Sequence, residues 1–174
     1  SNGRVYSVPV AQLPSARGDG SPFTSMIDLA PGSKLVGYVA AAPTAALMLA
    51  TEGKLELSDL APKYLPELAP LPVTIDQMMR NSSGLPDFLE LLRLGGHGLE
   101  RPVRAADLFA TAARNGHLNF SPGSRFLYSN TNFWLLGLVV EKASGMTYEE
   151  YIEKRIFEPL GMTRSMYCNN SETV

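Results

Sequence analysis

The pattern of hydrophobic and polar positions in the first half of the chain predicts two helices with an extended segment between them. An Ala-rich stretch favours a helix over 34–52, which either begins or kinks at Pro43, because proline breaks a helix interior. Gly53 follows this stretch as a typical helix stop. The capping box that Thr74 opens predicts a second helix over 75–81.

The apolar pattern predicts further helices in the second half. The run over 131–144 is mostly apolar, with Asn130 or Thr131 as its cap, and predicts a mostly buried helix that ends at Gly145. A stretch near the start of the chain, 4–10, alternates weakly and predicts a short strand. The remaining predicted helices cover 87–94, 105–115 and 148–157, and a second capping box at Thr147 opens the last of them. Helices therefore outnumber strands.

Composition limits the classes of protein that fit. The 174 residues are 45% hydrophobic and carry a net charge of -2. This is enough apolar material for one core, and the charge argues against a nucleic-acid partner, which requires a basic face. One cysteine, Cys168, and two histidines, His97 and His117, provide neither a disulfide framework nor a metal-ligand pattern. No metal or other cofactor is predicted.

No segment is predicted to span a membrane. The most apolar run, Leu35 to Ala50, is interrupted by Gly37 and Pro43 and is shorter than the ~20 residues that a bilayer requires. The start at Ser1 shows no charged region followed by an apolar block, so no signal peptide is predicted.

Three stretches, taken together, carry a family signature. They are Glu52-Gly53-Lys54-Leu55 running into Lys63-Tyr64-Leu65-Pro66-Glu67, then Asn81-Ser82-Ser83-Gly84-Leu85-Pro86-Asp87, then Phe120-x-Pro122-Gly123-x-x-Phe126-x-Tyr128-Ser129-Asn130-Thr131-Asn132-Phe133 with Pro159-Leu160-Gly161-Met162 after it. In this order and spacing they resemble the beta-lactamase-related serine hydrolases. That family includes class C beta-lactamases, D-alanyl-D-alanine carboxypeptidases and lactamase-like esterases. The resemblance covers roughly residues 26–167.

The resemblance implies a fold and a chemistry. The fold is an α/β (α+β) sandwich, beta-lactamase/transpeptidase-like, in which a helical subdomain lies beside an antiparallel sheet. The chemistry is acyl transfer through a serine ester. In the family, a Ser-x-x-Lys motif places the two side chains one helical turn apart, so that a lysine with a lowered pKa can take the serine proton.

The family's second motif, Tyr-x-Asn, matches Tyr128-Ser129-Asn130. By this resemblance, Tyr128 shares proton transfer with the motif lysine and protonates the leaving group. Asn130 orients the substrate or the lysine.

The family's first motif is disrupted in this chain, because no Ser-x-x-Lys is present. Alignment on the flanking residues places Lys34 on the motif lysine and Pro31 on the nucleophile. Ser33 then acts as nucleophile only if the local backbone is irregular, since neighbours on a helix point about 100° apart. An alignment on the downstream glycine instead places Val36 and Val39 on the motif positions.

The chain is short for this family. Few residues follow the Pro-Leu-Gly-Met stretch, so we expect the remaining strands and the third motif, Lys/His-x-Gly, to lie beyond Val174. We expect 1–25 to form an N-terminal strand and loop, and 26–174 to form a partial beta-lactamase-related domain. This domain is mostly the helical subdomain with an incomplete antiparallel sheet, which a second copy or a missing chain would complete.

The predicted function is acyl-enzyme hydrolysis of an ester or amide, such as a beta-lactam, a peptide or a carboxylic ester. The predicted catalytic residues are Ser33, Lys34 and Tyr128, and Asn130 is predicted to bind substrate. The alternative is a catalytically inactive lactamase-like fragment or pseudoenzyme with a binding or assembly role, which the missing Ser-x-x-Lys favours. The compartment stays open between secreted or periplasmic, the family's habit, and cytoplasmic.

Overall fold

A computed structural model describes residues 41–69, 71–96, 117–163, 165 and 167 of the chain. These residues belong to two compact units: one contains the described residues from 41 to 151, and the other contains those from Ile152 onward. The strand predicted over 4–10 and the helix predicted over 105–115 lie outside the described residues. The division into 1–25 and 26–174 stays a prediction.

Helix α1 (Ala41–Thr51) buries small side chains. Ala45, Ala46 and Leu49 are completely buried, so a neighbouring helix can approach closely. Gly53, at a φ of 71°, ends the helix as predicted. Its N–H donates to the carbonyl of Ala50 at 3.1 Å, and the next N–H donates to that of Leu49 at 2.9 Å. This pair of bonds satisfies carbonyls that the end of a helix leaves open.

The segment between the first two helices is not extended, and that prediction is wrong. The segment forms two short 3-10 turns, Ala61–Lys63 and Pro66–Leu68, and each has a proline in its first two positions. Proline lacks the N–H that a strand ladder requires, and its fixed φ suits the start of a turn. Extended pairing in this segment is reduced to an isolated antiparallel bridge between Leu60 and Thr74.

Two short helices follow. Helix α2 (Ile75–Met79) begins at the predicted capping box: Gln77 N–H donates to Thr74 Oγ1 at 3.2 Å, and Thr74 N–H donates to Gln77 Oε1 at 3.0 Å. It ends two residues before the predicted limit. Helix α3 (Phe88–Leu94) agrees with the helix predicted over 87–94.

Helix α4 (Asn130–Ser144) is the helix against which α1, α2 and α3 pack. Its buried face is formed by completely buried aliphatic side chains, namely Leu135, Leu136, Val139 and Val140. Gly145, at a φ of 72°, ends it as predicted. The core of this unit therefore lies along α4, and the start of α4 is held by the loop between α2 and α3.

The cap of α4 differs from the prediction. The N-cap residue is Ser129, not Asn130 or Thr131, and its side chain makes no capping hydrogen bond. The hydroxyl of Thr131 instead donates to the carbonyl of Pro86 at 2.6 Å. The polar side chain of Thr131 thus bonds to the loop that contains Pro86 and does not cap its own helix.

Helix α5 (Tyr148–Ile152) begins at the second predicted capping box. Thr147 N–H donates to Glu150 Oε2 at 3.1 Å, and Glu150 N–H donates to Thr147 Oγ1 at 3.2 Å. The helix was predicted to run to 157, but α5 ends at Ile152 and the next five residues, Glu153–Phe157, form a π-helical turn.

Helices dominate the described part of the chain, and their lengths are modest. The longest, α4, has 15 residues. Among the residues that the structure describes, no helix combines the length and the apolar character needed to cross a membrane.

Candidate active site

Tyr128 and Asn130, the two matched residues of the second motif, lie together at the start of α4. The Tyr128 hydroxyl donates to Asn130 Oδ1 at 3.0 Å. The Tyr128 ring is half-buried and contacts the ring of Phe133, with centroids 5.6 Å apart. The phenol is therefore held by a hydrogen bond at one end and by an aromatic contact along its side.

Asp87 holds Asn130 from the opposite side. One carboxylate oxygen of Asp87, Oδ2, accepts from the backbone N–H of Asn130 and from its side-chain Nδ2, the latter at 2.8 Å. The other oxygen, Oδ1, accepts from the N–H groups of Leu89 at 2.9 Å and Glu90 at 3.2 Å, and so caps α3. Both carboxylate oxygens are used, one for a helix and one for the motif.

A buried polar network lies directly behind the motif. Asn81 Oδ1 accepts from the Ser129 N–H at 3.2 Å and from Asn132 Nδ2 at 3.0 Å. Ser83 Oγ donates to Asn132 Oδ1 at 2.6 Å and accepts from the Leu85 N–H at 3.1 Å. These side chains are buried, and each polar atom named has a partner. The loop 81–88 is thus joined to residues 128–132, and we call the two together the loop clamp.

The far end of the loop clamp is closed by Thr131. Its hydroxyl donates to the Pro86 carbonyl and accepts from the Phe88 N–H at 2.9 Å. The Phe88 and Trp134 rings meet edge to face with centroids 6.2 Å apart. Polar and aromatic contacts therefore hold α3 against the start of α4, on the side where Asp87 lies.

The electrostatic surroundings keep the Tyr128 hydroxyl protonated. Burial, and after it the negative charge of Asp87, raises the pKa of this phenol above its ordinary value. At neutral pH the side chain is neutral and donates its hydrogen bond to Asn130. In this arrangement the chemistry available to Tyr128 is that of a proton donor.

The other two predicted catalytic residues, Ser33 and Lys34, lie outside the described residues. Their meeting with Tyr128 and Asn130 therefore stays a prediction. The part of the chain that the structure describes contains no cluster of three or more His, Cys, Asp or Glu side chains suited to a metal ion.

Sequence reasoning missed the residues that position the motif. Asp87 was noted within the Ser-Gly-Leu-Pro-Asp stretch, and aspartate before an apolar run is a recognisable N-cap signal. Its bond to a residue 43 positions later has no such signal. Ser83 belongs to the same stretch, and no sequence signal indicates that its side chain is 1% exposed and bonded within the loop clamp.

The sequence model described as Beta-lactamase matches residues 40–168. Among curated proteins, the chain is 31% identical over 125 residues to penicillin-binding protein 4* of Bacillus subtilis, covering 71% of this chain and 27% of that protein. It is 28% identical over 152 residues to an Escherichia coli protein provisionally named D-alanyl-D-alanine carboxypeptidase, covering 82% and 34%. The chain thus spans about a third, or less, of the length of these curated relatives.

Solved structures of related proteins are also similar to this chain. A D-stereospecific amidohydrolase from Streptomyces sp. superposes with a TM-score of 0.60 at 30% identity, covering 70% of this chain and 39% of that one. The octameric penicillin-binding protein homologue of Pyrococcus abyssi gives 0.57 at 34% identity, covering 72% and 31%. The predicted fold class is confirmed as beta-lactamase/transpeptidase-like, and the described residues form a helical part of it. With a match to the family over 129 consecutive positions, 40–168, the chain belongs to the beta-lactamase family of serine hydrolases.

Proposed function

We propose that this chain takes part in acyl-enzyme hydrolysis of an amide or ester, with Tyr128 as the proton donor to the leaving group. The observation that supports this most directly is the Tyr128 hydroxyl, which donates to Asn130 Oδ1 while Asp87 holds the other end of the same amide. A solvated turn would not need a phenol whose proton and orientation are both fixed. Family membership supplies the reaction class, and this geometry supplies a group able to carry out one of its steps.

The proposed first half-reaction uses Ser33, or another serine of the intact site, as nucleophile. Its Oγ forms a bond to the substrate carbonyl carbon while its proton passes to neutral Lys34 Nζ. Backbone N–H groups stabilise the resulting oxyanion. When the tetrahedral intermediate collapses, the carbonyl carbon loses its bond to the leaving nitrogen or oxygen. That atom takes the proton of the Tyr128 hydroxyl. Lys34 Nζ then passes the proton that it took from the serine to the phenol oxygen.

In the second half-reaction, water replaces the leaving group. A water molecule attacks the acyl carbon while its proton passes to the same base pair of Tyr128 and Lys34. Collapse then breaks the bond between the acyl carbon and the serine oxygen, and this oxygen recovers a proton. The products are a carboxylic acid and the free serine hydroxyl, so all protons are returned. Asn130 is proposed to orient the substrate as well as the phenol.

The proposed substrates are small acyl compounds or peptides. The relatives are named as a penicillin-binding protein, a carboxypeptidase and a D-stereospecific amidohydrolase, and these names support an amide, including a strained lactam, before a simple ester. A panel of a chromogenic cephalosporin, a peptide ending in D-alanyl-D-alanine and a p-nitrophenyl ester ranks the three classes by kcat/KM.

The decisive experiment is covalent capture. The full chain is incubated with a fluorescent penicillin and, separately, with a fluorophosphonate, and its intact mass is measured before peptide mapping. We expect one adduct, on Ser33, which Ser33→Ala abolishes and Tyr128→Phe slows. Ser58→Ala, which removes an exposed hydroxyl far from the motif in sequence, is the matched control and should label normally. A folded chain whose mass never changes would contradict the proposal.

A second candidate, a non-catalytic lactamase-like protein that acts by binding or assembly, has its own support. Proline stands at position 31, where alignment on the flanking residues places the nucleophile, and proline has no hydroxyl. An octameric relative supports assembly of identical chains as the corresponding role. If the chain forms no covalent adduct, light scattering tests this second candidate. We expect a defined oligomer, and a monomer would contradict the assembly role.

A further inference from the structure

We infer that Asp87 is the positioning residue of the Tyr128–Asn130 pair: its carboxylate fixes which end of the Asn130 amide faces the phenol. This inference deepens the proposed function and, for its kinetic consequence, rests on it. Among the described residues, Asp87 bonds to Asn130 and not to the Tyr128 hydroxyl, so it acts on the phenol through Asn130.

The Asp87 carboxylate has enough acceptor sites for two separate groups of donors. The carboxylate of Asp87 accepts four N–H hydrogen bonds, two at Oδ1 from the start of α3 and two at Oδ2 from Asn130. A carboxylate accepts hydrogen bonds at two oxygens, whereas the side chain of Asn, Gln, Ser or Thr has only one oxygen. Only an acidic side chain can therefore cap α3 and hold Asn130 at the same time.

The Asp87 carboxylate also sets the orientation of the Asn130 amide. An ionised carboxylate has no proton to donate, so the end of the Asn130 amide that faces it must be the nitrogen. With Nδ2 directed at Asp87, Oδ1 is left on the side of Tyr128, where it accepts from the hydroxyl at 3.0 Å. The charge at Asp87 thus determines that Tyr128 meets an acceptor and points its proton at Asn130.

Asp87 also influences the protonation state of the Tyr128 phenol. The negative charge of Asp87 adds to burial in raising the pKa of Tyr128. Geometry and charge act in the same direction, because a hydrogen bond that the phenol donates and a nearby anion both favour the neutral phenol. Asp87 therefore keeps Tyr128 in the form that a proton donor needs.

The variant Asp87→Asn separates this role from helix capping. Asparagine has nearly the same shape and is as good an N-cap as aspartate, so α3 can stay capped. If its oxygen caps α3, its NH2 group meets the two donors of Asn130. The Asn130 amide must then turn, and its nitrogen faces the Tyr128 hydroxyl in place of its oxygen.

The principal readout does not depend on activity. The full chain carrying tyrosine labelled with ¹³C at the ring ζ position is titrated by NMR, and Tyr128→Phe assigns the resonance. In Asp87→Asn we expect the pKa of Tyr128 to fall towards its ordinary value, because both the anion and the accepting oxygen are lost. Asp76→Asn, at an exposed carboxylate paired with Arg80, is the matched control and should leave this titration unchanged. An unchanged Tyr128 titration in folded Asp87→Asn would overturn the inference.

A second measurement applies to the wild-type chain and does not require any variant to fold. The hydrogen bond from Asn130 to Asp87 should give a scalar coupling between the Asn130 side-chain nitrogen and the Asp87 carboxyl carbon. Asn130 side-chain amide signals that show no such coupling would overturn the inference.

The kinetic readout distinguishes this inference from the proposed function. If the wild type acylates, Asp87→Asn should lower the acylation rate by roughly 10- to 100-fold, less than the loss of a proton-transfer group itself, and should alter kcat more than KM. An unchanged rate would overturn the catalytic part of the inference. If the wild type forms no adduct while Asp87→Asn lowers the Tyr128 pKa, the proposed function fails and the positioning role holds.

Discussion

Two aspartates, Asp59 and Asp87, each gather several hydrogen-bond donors, but they connect the chain over different distances. Asp59 accepts from Lys63 Nζ at 2.8 Å and from the Tyr64 hydroxyl at 2.6 Å, and both donors lie within five residues of it. Asp87 accepts from the start of α3 and from Asn130, which is 43 residues away in sequence. The first cluster shapes one loop, whereas the second joins two segments.

This difference determines what each cluster contributes. The Asp59 cluster lies next to solvent, where charges are screened and long side chains lose conformational freedom when they are held. The loop clamp around Asp87 is mostly buried, so a partner removed there leaves a polar group without water to replace it. We therefore expect the loop clamp to carry both the larger share of stability and the geometry of the site.

The largest effect is expected from Asn132→Ala. Asn132 is completely buried and bonds to both Ser83 and Asn81, so alanine leaves two buried polar side chains short of a partner. We expect the free energy of unfolding to fall by roughly 2–4 kcal/mol. Urea denaturation followed by circular dichroism measures it.

The matched control for this prediction is Asn119→Ala. Asn119 contacts Gly84 through its backbone N–H, which alanine retains, and the residue is exposed. Its replacement should change the free energy of unfolding by less than about 0.5 kcal/mol. If the two variants were equally stable, the hydrogen bonds of Asn132 would contribute little, and the loop clamp would not differ from a surface loop.

A smaller loss is expected from Gly84→Ala, which strains the backbone of the same loop. Gly84 has a φ of 80°, and a Cβ added there would collide with the carbonyl oxygen of Phe120. We expect a loss of about 2 kcal/mol, because both the left-handed conformation and the close approach favour glycine. Gly53→Ala, at a φ of 71° with open space around it, is the control and should lose about 1 kcal/mol. Equal losses would show that the contact with Phe120 is not tight.

Features that depend on neighbours in sequence could be predicted from the sequence, and features that depend on distant pairing could not. The capping boxes at Thr74 and Thr147 act over three residues, and Gly53 and Gly145 stop helices through their own backbone freedom. Within the site, the family pattern identified the Tyr128–Asn130 pair. It could not supply Asp87, because an N-cap aspartate looks the same whether or not its second oxygen meets a residue 43 positions later.

The segment between α1 and α2 was predicted wrongly for a different physical reason. Its alternating apolar residues resemble a strand, but Pro62 and Pro66 each remove an N–H from any ladder. The apolar side chains of Leu65 and Leu68 are buried, but they belong to a 3-10 turn and its N-cap and not to a strand. The apolar pattern indicates which residues are buried. The prolines exclude a strand and favour a turn as the backbone conformation of the segment.

The Asp59 cluster should make the free energy of unfolding depend on pH in the acid range. Hydrogen bonds from Lys63 and then Tyr64 lower the pKa of Asp59 from 3.8 to about 2. A carboxyl whose pKa is lowered by folding stabilises the fold above its unfolded pKa, and this contribution disappears as the pH falls from about 4 to about 2. We expect a loss on the order of 1 kcal/mol, reduced by the solvent around the cluster. Stability measured against pH should show this step, and Asp59→Asn should flatten it. A step of the same size in Asp59→Asn would assign it to other carboxyls.

The smallest effect is expected from Lys63→Met, which removes the ion pair and keeps most of the apolar stem. The Lys63 side chain is 57% exposed, and its partner Asp59 keeps the hydrogen bond from Tyr64. We expect a small loss of stability that shrinks further as salt is added, because exposed pairs are screened. The free energy of unfolding at low and at high salt measures it. Should Lys63→Met cost as much as Asn132→Ala, the local cluster and the loop clamp would be energetically equal. Burial would then not explain why one aspartate shapes a loop and the other builds a site.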